Sequence, residues 1–261
     1  MSTPTLTLLT DFGGVDGYVG AMKGVLLART GGCTLVDLSH DVPRGDVARG
    51  AYVLAQAAPW FPEGTVHVAV VDPGVGGTRR AIALLAEGHF YVAPDNGLLS
   101  DVLAAVTPER VYAIESERYA PRDASPVFHG RDVFAPAAAH LALGGDGSEL
   151  GRRIDPASLV RLPRPEPTLE SGDWLATIVH VDHFGNLVTN VALPSEHRAG
   201  VARIDAVSVP LCATYSDVDP GELVAVRGST GRLEIAVRDG SAAERLGKAR
   251  GDVIRWRAVE R

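Results

Sequence analysis

Twice in the first third of the chain an apolar, β-branched run ends on an aspartate and passes into glycines. In Thr10-Asp-Phe-Gly-Gly-Val-Asp16, Asp11 follows the run Leu6–Thr10. A carboxylate placed there can accept both hydroxyls of a ribose, and the glycines allow close approach of backbone to ligand. The competing reading makes Asp11 a cap for the helix that follows. In Val70-Val-Asp-Pro-Gly-Val-Gly-Gly-Thr-Arg-Arg80, Asp72 has the same strand-end position, and Arg79 and Arg80 close the loop. The glycines lack both the phosphate-loop ending and the dinucleotide-binding order. The plainer reading is a tight loop with a surface arginine pair.

A third segment, Val127-Phe-His-Gly-Arg-Asp132, sets His129 in a loop ahead of an Ala-rich helical run. Asp132 there suits a helix cap. A fourth, Val181-Asp-His-Phe-Gly-Asn-Leu-Val-Thr-Asn190, reads as a hairpin corner. The amide of Asn186 offers a donor and an acceptor, which suits an adenine edge, although Asp182, Gly185 and Asn186 are also ordinary turn residues. A fifth, Gly228-Ser-Thr-Gly-Arg-Leu-Glu-Ile-Ala-Val-Arg238, reads as a β-hairpin in which Ser229 and nearby N–H groups can hold a carboxylate.

These loops need a scaffold. Apolar β-branched runs at 6–10, 34–38, 66–71, 81–86 and 90–93 alternate with helical patterns at 17–29, 47–57, 96–106 and 133–143. That alternation predicts an α/β domain with a mainly parallel sheet between helices. Prolines 156, 163, 165 and 167 resist both helix and central strand. Beyond them come short strands at 174–181, 187–191, 206–211, 223–227, 233–237 and 253–257, with one helical stretch at 242–246. The expected organisation is an N-terminal α/β domain over 1–160, a Pro-rich linker over 161–169, and a small all-β antiparallel domain over 170–261.

The 261 residues carry a net charge of −7, which disfavours bulk attraction to nucleic acid or anionic lipid. No apolar run is long enough to span a bilayer. The opening residues lack signal-peptide character, so the expected location is the cytoplasm. Cys33 and Cys212 form neither a disulfide framework nor a metal motif, and each reads as a small buried hydrophobe. Residue types and spacing alone reach a two-domain α/β protein with acidic strand-end loops and a small polar ligand.

Taken together, the segments resemble the S-adenosylmethionine hydroxide adenosyltransferases, relatives of the fluorinases and chlorinases. The resemblance rests on LLTDFG at 8–13, VDLSHDVP at 36–43, FPEGTVHVAVVDPGVG at 61–76, VAPDNGLLS at 92–100, FHGRDVFAPAAAHLA at 128–142 and DHFGNLVTN at 182–190. It implies hydrolysis of S-adenosylmethionine to adenosine and methionine with no metal and no second cofactor. It also implies a homotrimer whose ligand sits between the N-terminal domain of one subunit and the C-terminal domain of the next. Asp72, Arg79 and His129 match the family's water-activating set, and Asp11 its ribose-binding aspartate. Asp182 matches a residue near the methionine amine, Asn186 the adenine reader, and Ser229 a ligand of the methionine carboxylate. Tyr215, Glu234 and Val237 fall where the family lines its pocket. The intact polar set at Asp72 and His129 favours water over halide as nucleophile. The alternatives are halogenase-type adenosyl transfer and a non-catalytic carrier of adenosine or S-adenosylmethionine.

Overall fold

The computed structural model describes residues 3–195 and 200–258. Residues 1–2, 196–199 and 259–261, which belong to the two expected domains, lie outside the described residues. Contacts divide the chain into two compact units, Met1–Leu162 and Pro163–Arg261.

The first unit is built on a six-stranded sheet of β1 (Thr5–Thr10), β2 (Thr34–Ser39), β3 (Val66–Val70), β4 (Ala81–Ala86), β5 (His89–Pro94) and β6 (Arg110–Ala113), in the order β2-β1-β3-β5-β4-β6. The pairs β1–β2, β1–β3 and β3–β5 are parallel, while β4 pairs antiparallel with both β5 and β6. "Mainly parallel" thus holds for the half that carries the strand-end aspartates. The 81–86 and 90–93 runs are joined by a two-residue hairpin turn, Glu87-Gly88, and both of those residues have positive φ. Such a turn returns the chain antiparallel.

Helices cover both faces, so both are apolar. On one side Leu6, Leu8, Val66, Val68 and Val70 pack against α1 (Tyr18–Thr30) and α4 (Ala135–Ala142). On the other, Leu9, Ala69, Val71, Ile82 and Leu84 pack against α2 (Val47–Ala57) and α3 (Val102–Ala105). Alternate residues of each strand serve opposite layers, as the pleat requires. The expected helix at 96–106 shrinks to α3. Asn96 spends its side chain on Leu98 N–H and Val71 C=O, and Gly97 takes φ +97°, so the chain turns before it can coil. The helix expected at 133–143 begins earlier, as a π-helical turn over Gly130–Phe134 that runs into α4. Pro136 has no N–H for the carbonyl four residues back, and Ala135 N–H reaches Gly130 C=O instead.

The second unit contains β7 (Thr168–Glu170), β8 (Asp173–Val181), β9 (Leu187–Ala192), β10 (Gly200–Ile204), β11 (Val207–Cys212), β12 (Leu223–Arg227), β13 (Arg232–Val237) and β14 (Val253–Ala258), with one short helix, α5 (Ala242–Leu246). Strand β8 pairs with β9 on one side and β14 on the other, which closes the sheet into a barrel. Its interior is filled by Ile178, Leu187, Leu233, Ile235, Trp256 and their neighbours. The expectation of an all-β antiparallel domain needs one correction, while its single helix falls where the sequence places it. Strands β11 and β12 pair in parallel, and the chain between them runs through a 3₁₀ turn at Tyr215–Asp217 that returns it in the same direction. Helix α5 is capped by the Ser241 side chain, which accepts from Glu244 N–H.

Candidate functional site

Strand order decides where a ligand can sit. From β1 the chain moves outward to β2, then crosses back to place β3 on the other side of β1. The helices after β1 and β2, α1 and α2, therefore pack on opposite faces, and a crevice opens beyond the carboxyl ends of β1 and β3. Asp11 and Asp72 stand at those ends, with Thr10 of β1 in register with Val70 of β3. Helix α1 is capped by Gly17 without any side-chain bond, so Asp11 does not cap it. One carboxylate oxygen of Asp11, Oδ2, accepts from Gly45 N–H at 2.8 Å. Its Oδ1 has no hydrogen bond among the described residues.

The arginine pair is not a surface pair. Arg79 Nε lies 3.0 Å from both oxygens of Asp72, and its Nη2 reaches Asp72 Oδ2. The same Nη2 donates to His129 Nδ1 at 2.8 Å. The guanidinium also stands over the ring of Phe134, 5.4 Å from its centroid. The side chains of Asp72 and Arg79 are only 4% and 11% exposed, so this is a desolvated charge pair. Because guanidinium only donates, His129 Nδ1 must accept, and the neutral ring carries its proton on Nε2. Burial, and then the adjacent Arg79 charge, hold the His129 pKa below the usual histidine value. His129 is thereby kept neutral with an N–H to give.

The loops that carry these groups meet at Gly76. It has φ +76°, and a Cβ there would come 2.5 Å from Pro126 C=O, so only glycine lets the 72–80 loop close on the 125–129 loop. Asp132 does not cap a helix. It accepts from Ser125 N–H and pairs with Arg131, which fastens the second loop. The resulting cleft is lined by Asp11, Phe12, Asp72, Val75, Phe128 and His129, among others. Arg79 is not part of that lining; its donors face Asp72 and His129. Among the described residues, no group of three His, Cys, Asp or Glu side chains is placed to hold a metal ion.

The second unit gathers most of its candidates separately. Asp182 Oδ1 accepts from Phe184 and Asn186 N–H, and Asn186 Nδ2 donates to Asp182 Oδ2, so ordinary turn chemistry is present at this hairpin corner. Tyr215 O–H donates to Glu234 Oε1 at 2.5 Å. Glu234 is buried, and that burial, with the charge of Asp182 nearby, raises its pKa. The Tyr215 pKa is raised by burial and by its bond to Glu234. Asp182, Glu234 and Tyr215 thus form one acidic, partly desolvated group. Ser229 is exposed in the β12–β13 hairpin, beside Gly228, which abuts the Glu234 carboxylate. Val237 turns the other way: its side chain belongs to the barrel core with Leu233 and Ile235.

Several side chains around the site escape a reading by residue type. Asp95 takes Arg80 Nε at 2.7 Å and Asn96 donates to Val71 C=O at 2.9 Å, so consecutive residues hold both ends of the 72–80 loop. Thr10, which precedes Asp11, bonds through its hydroxyl to His40 Nδ1 at 2.8 Å. The only sequence signal for them was their place inside the longer motifs.

The family model described as the SAM hydroxide adenosyltransferase N-terminal domain matches residues 6–151, and the C-terminal domain model matches residues 176–255. The (R)-S-adenosyl-L-methionine hydrolase of Salinispora tropica is 46% identical over 258 residues, 97% of each chain. That of Thermus thermophilus is 43% identical over 95% of this chain and 97% of its own. The fluorinase of an Actinoplanes species is 30% identical over 89% of this chain and 90% of its own. An uncharacterized conserved protein of Thermotoga maritima has a solved structure that matches with a TM-score of 0.89 at 33% identity, over 97% of this chain and 99% of that one. The chain belongs to the SAM hydroxide adenosyltransferase family.

Proposed function

We propose that this enzyme hydrolyses S-adenosyl-L-methionine to adenosine and L-methionine. The observation that carries the reading is the Asp72–Arg79–His129 array at the mouth of the β1/β3 crevice, beside Asp11. Full-length similarity to proteins named as (R)-S-adenosyl-L-methionine hydrolases supports it. We extend that printed specificity to this chain: its substrate is the epimer with R configuration at sulfur.

The chemistry asks little of an acid. Methionine leaves as a neutral thioether, because the sulfonium already carries the positive charge. Water attacks ribose C5′ in line with the C5′–S bond, the bond pair goes to sulfur, and the protonated 5′-hydroxyl gives up one proton to bulk water. Asp11 holds the ribose through its open oxygen. Asp72 accepts a hydrogen bond from the attacking water, and the His129 Nε2–H steadies its oxygen. With Nδ1 occupied by Arg79, His129 orients the water rather than deprotonating it. Arg79 fixes both neighbours at once. Positioning of this kind lowers a barrier by up to roughly 7–11 kcal/mol in favourable cases. No step calls for a metal or second cofactor.

The same array disfavours halide. The Asp72 carboxylate lines the cleft and cancels the charge of Arg79, so an approaching anion meets no net cation. Asp182, Asn186, Tyr215, Ser229 and Glu234 bind the adenine and methionine ends, and Val237 contributes through its backbone. The working form is a homotrimer in which each site combines the first domain of one subunit with the second domain of its neighbour. Incubation with each sulfur epimer in halide-free buffer, followed by mass spectrometry, tests the reading. Adenosine and methionine formed faster from the R epimer support it, and an intact ligand after prolonged incubation argues for a carrier.

A further inference from the structure

Asp11 is held by a loop from the next strand at three successive points. His40, just beyond β2, bonds through Nδ1 to Thr10 Oγ1 at 2.8 Å. Its own carbonyl accepts from Gly13 N–H at 2.9 Å. Five residues on, Gly45 N–H donates to Asp11 Oδ2 at 2.8 Å. Residues 40–45 therefore hold the Thr10 side chain before Asp11, the Gly13 backbone after it, and one of its carboxylate oxygens. The other oxygen has no hydrogen bond among the described residues, and Asp11 lines the cleft.

The grip is itself anchored. His40 Nε2, otherwise without a hydrogen bond, lies 3.0 Å from Asp37 Oδ1. Asp37 Oδ2 takes Lys23 Nζ of α1 at 2.6 Å. A carboxylate only accepts, so Nε2 carries a proton, and in the neutral ring Nδ1 accepts from the Thr10 hydroxyl. That hydroxyl in turn accepts from Phe12 N–H at 3.2 Å. The line Lys23, Asp37, His40, Thr10, Phe12 has one consistent direction of donation from the threonine hydroxyl to the carboxylate. Thr10 is fully buried. A buried threonine in the last place of an apolar strand has no packing advantage over valine, so its hydroxyl has work to do at the loop.

We propose that Thr10 and His40 are positioning residues for nucleoside binding: they fix the Asp11 carboxylate so that its open oxygen meets the ribose already oriented. This rests on the assignment of Asp11 to the ribose. The pair acts on affinity and not on the displacement step, because neither residue touches Asp72, Arg79 or His129 among the bonds described. Losing one or two neutral hydrogen bonds from the brace corresponds to roughly three- to tenfold in affinity.

The test measures adenosine dissociation constant, KM and kcat for S-adenosylmethionine, and melting temperature, on one set of variants. His40→Ala and Thr10→Val are expected to weaken adenosine binding and raise KM by that factor while kcat at saturation stays within about twofold of wild type. His40→Asn puts an amide near the old Nδ1, and Thr10→Ser keeps the hydroxyl; both are expected to recover most of the affinity. If His40→Ala does not fold, the Thr10→Val and Thr10→Ser pair decides alone, since valine matches threonine in shape. Asp11→Asn is the control. Affinity lost in Asp11→Asn but unchanged in Thr10→Val and His40→Ala overturns the brace and leaves the ribose assignment standing. Affinity unchanged in Asp11→Asn removes the ribose assignment, and the brace with it. A parallel fall in kcat, affinity and melting temperature with no recovery in the conservative variants would make the pair merely structural.

Discussion

Replacing Arg79 by lysine separates charge from geometry at the centre of the array. The guanidinium presently spans two partners: Nε and Nη2 address Asp72, and Nη2 also addresses His129 at 2.8 Å. It does so while stacked over Phe134 and only 11% exposed. A lysine ammonium keeps the positive charge but is a compact group on a flexible stem, without the planar fork. It can pair with Asp72 and then release His129, whose ring loses the donor that fixes its tautomer. The loss amounts to one charge-assisted, largely buried bond, about 1.5–3 kcal/mol. At about 1.4 kcal/mol per decade this predicts a fall in kcat of roughly tenfold to somewhat over a hundredfold. Because the Asp72 charge remains compensated, stability should fall by less than the roughly 3–5 kcal/mol typical of a broken buried ion pair. Adenosine affinity should hold, since Arg79 does not line the cleft. The assay follows adenosine release chromatographically at saturating substrate, with adenosine affinity and melting temperature measured on the same preparation. A kcat within threefold of wild type would refute the idea that the fork's geometry is used. An adenosine affinity that falls in step with kcat would recast Arg79 as a support for the nucleoside site.

His129→Ala should cost roughly 10²–10⁴-fold in turnover with adenosine affinity preserved, because its partner is the water; a structural histidine would instead lower melting temperature and affinity together. A second titratable centre sits at the other end of the sheet. Buried His67 bonds to Thr7 Oγ1 and stacks on Tyr91, and burial, with His89 close by, lowers its pKa to about 3. Its unfolded value is near 6.5, so the unfolded state binds this proton first. Stability from this group is full above about pH 6.5 and declines as pH falls toward 3, by up to about 1.4 kcal/mol per unit. His67→Asn should flatten that acid limb in melting curves recorded from pH 7 to 4; an identical slope would show that His67 does not govern it. Finally, mixing inactive Asp72→Ala with inactive Asn186→Ala under subunit exchange should restore activity if sites are shared between subunits. Absence of rescue despite demonstrated exchange would place each site within one chain.

The parts of the site visible in the sequence were those with a local signature. Asp11 and Asp72 stood out because a buried parallel strand is a continuous apolar run, and an acid followed by glycines marks where it ends. Partnerships were not legible. Arg79 and His129 lie 50 residues apart, and Thr10 and His40 lie 30 apart, so their bonds arise only from strand order. The bonds of the arginine pair were not legible because nothing local shows that Asp72 and Phe134 enclose the first arginine or that Asp95 holds the second. Strands β6 and β7 gave no separate reading because they have only four and three residues, too short for alternation to rise above chance, and β10 gave none either. The π-helical turn at Gly130–Phe134 was invisible for a different reason: a 3.6-residue period cannot register one inserted residue. The parallel β11–β12 pairing likewise depends on a turn whose direction the intervening residues do not announce.

The central claim is that water is delivered to ribose C5′, and isotopic oxygen tests it most directly. The enzyme is incubated with S-adenosylmethionine in water enriched in ¹⁸O, free of halide and containing excess chelator, and the products are resolved by mass spectrometry. The account predicts adenosine bearing one ¹⁸O on its 5′-hydroxyl, unlabelled methionine, and an undiminished rate in chelator. Adenosine without the label, or label appearing in an amino-acid fragment instead, would contradict it.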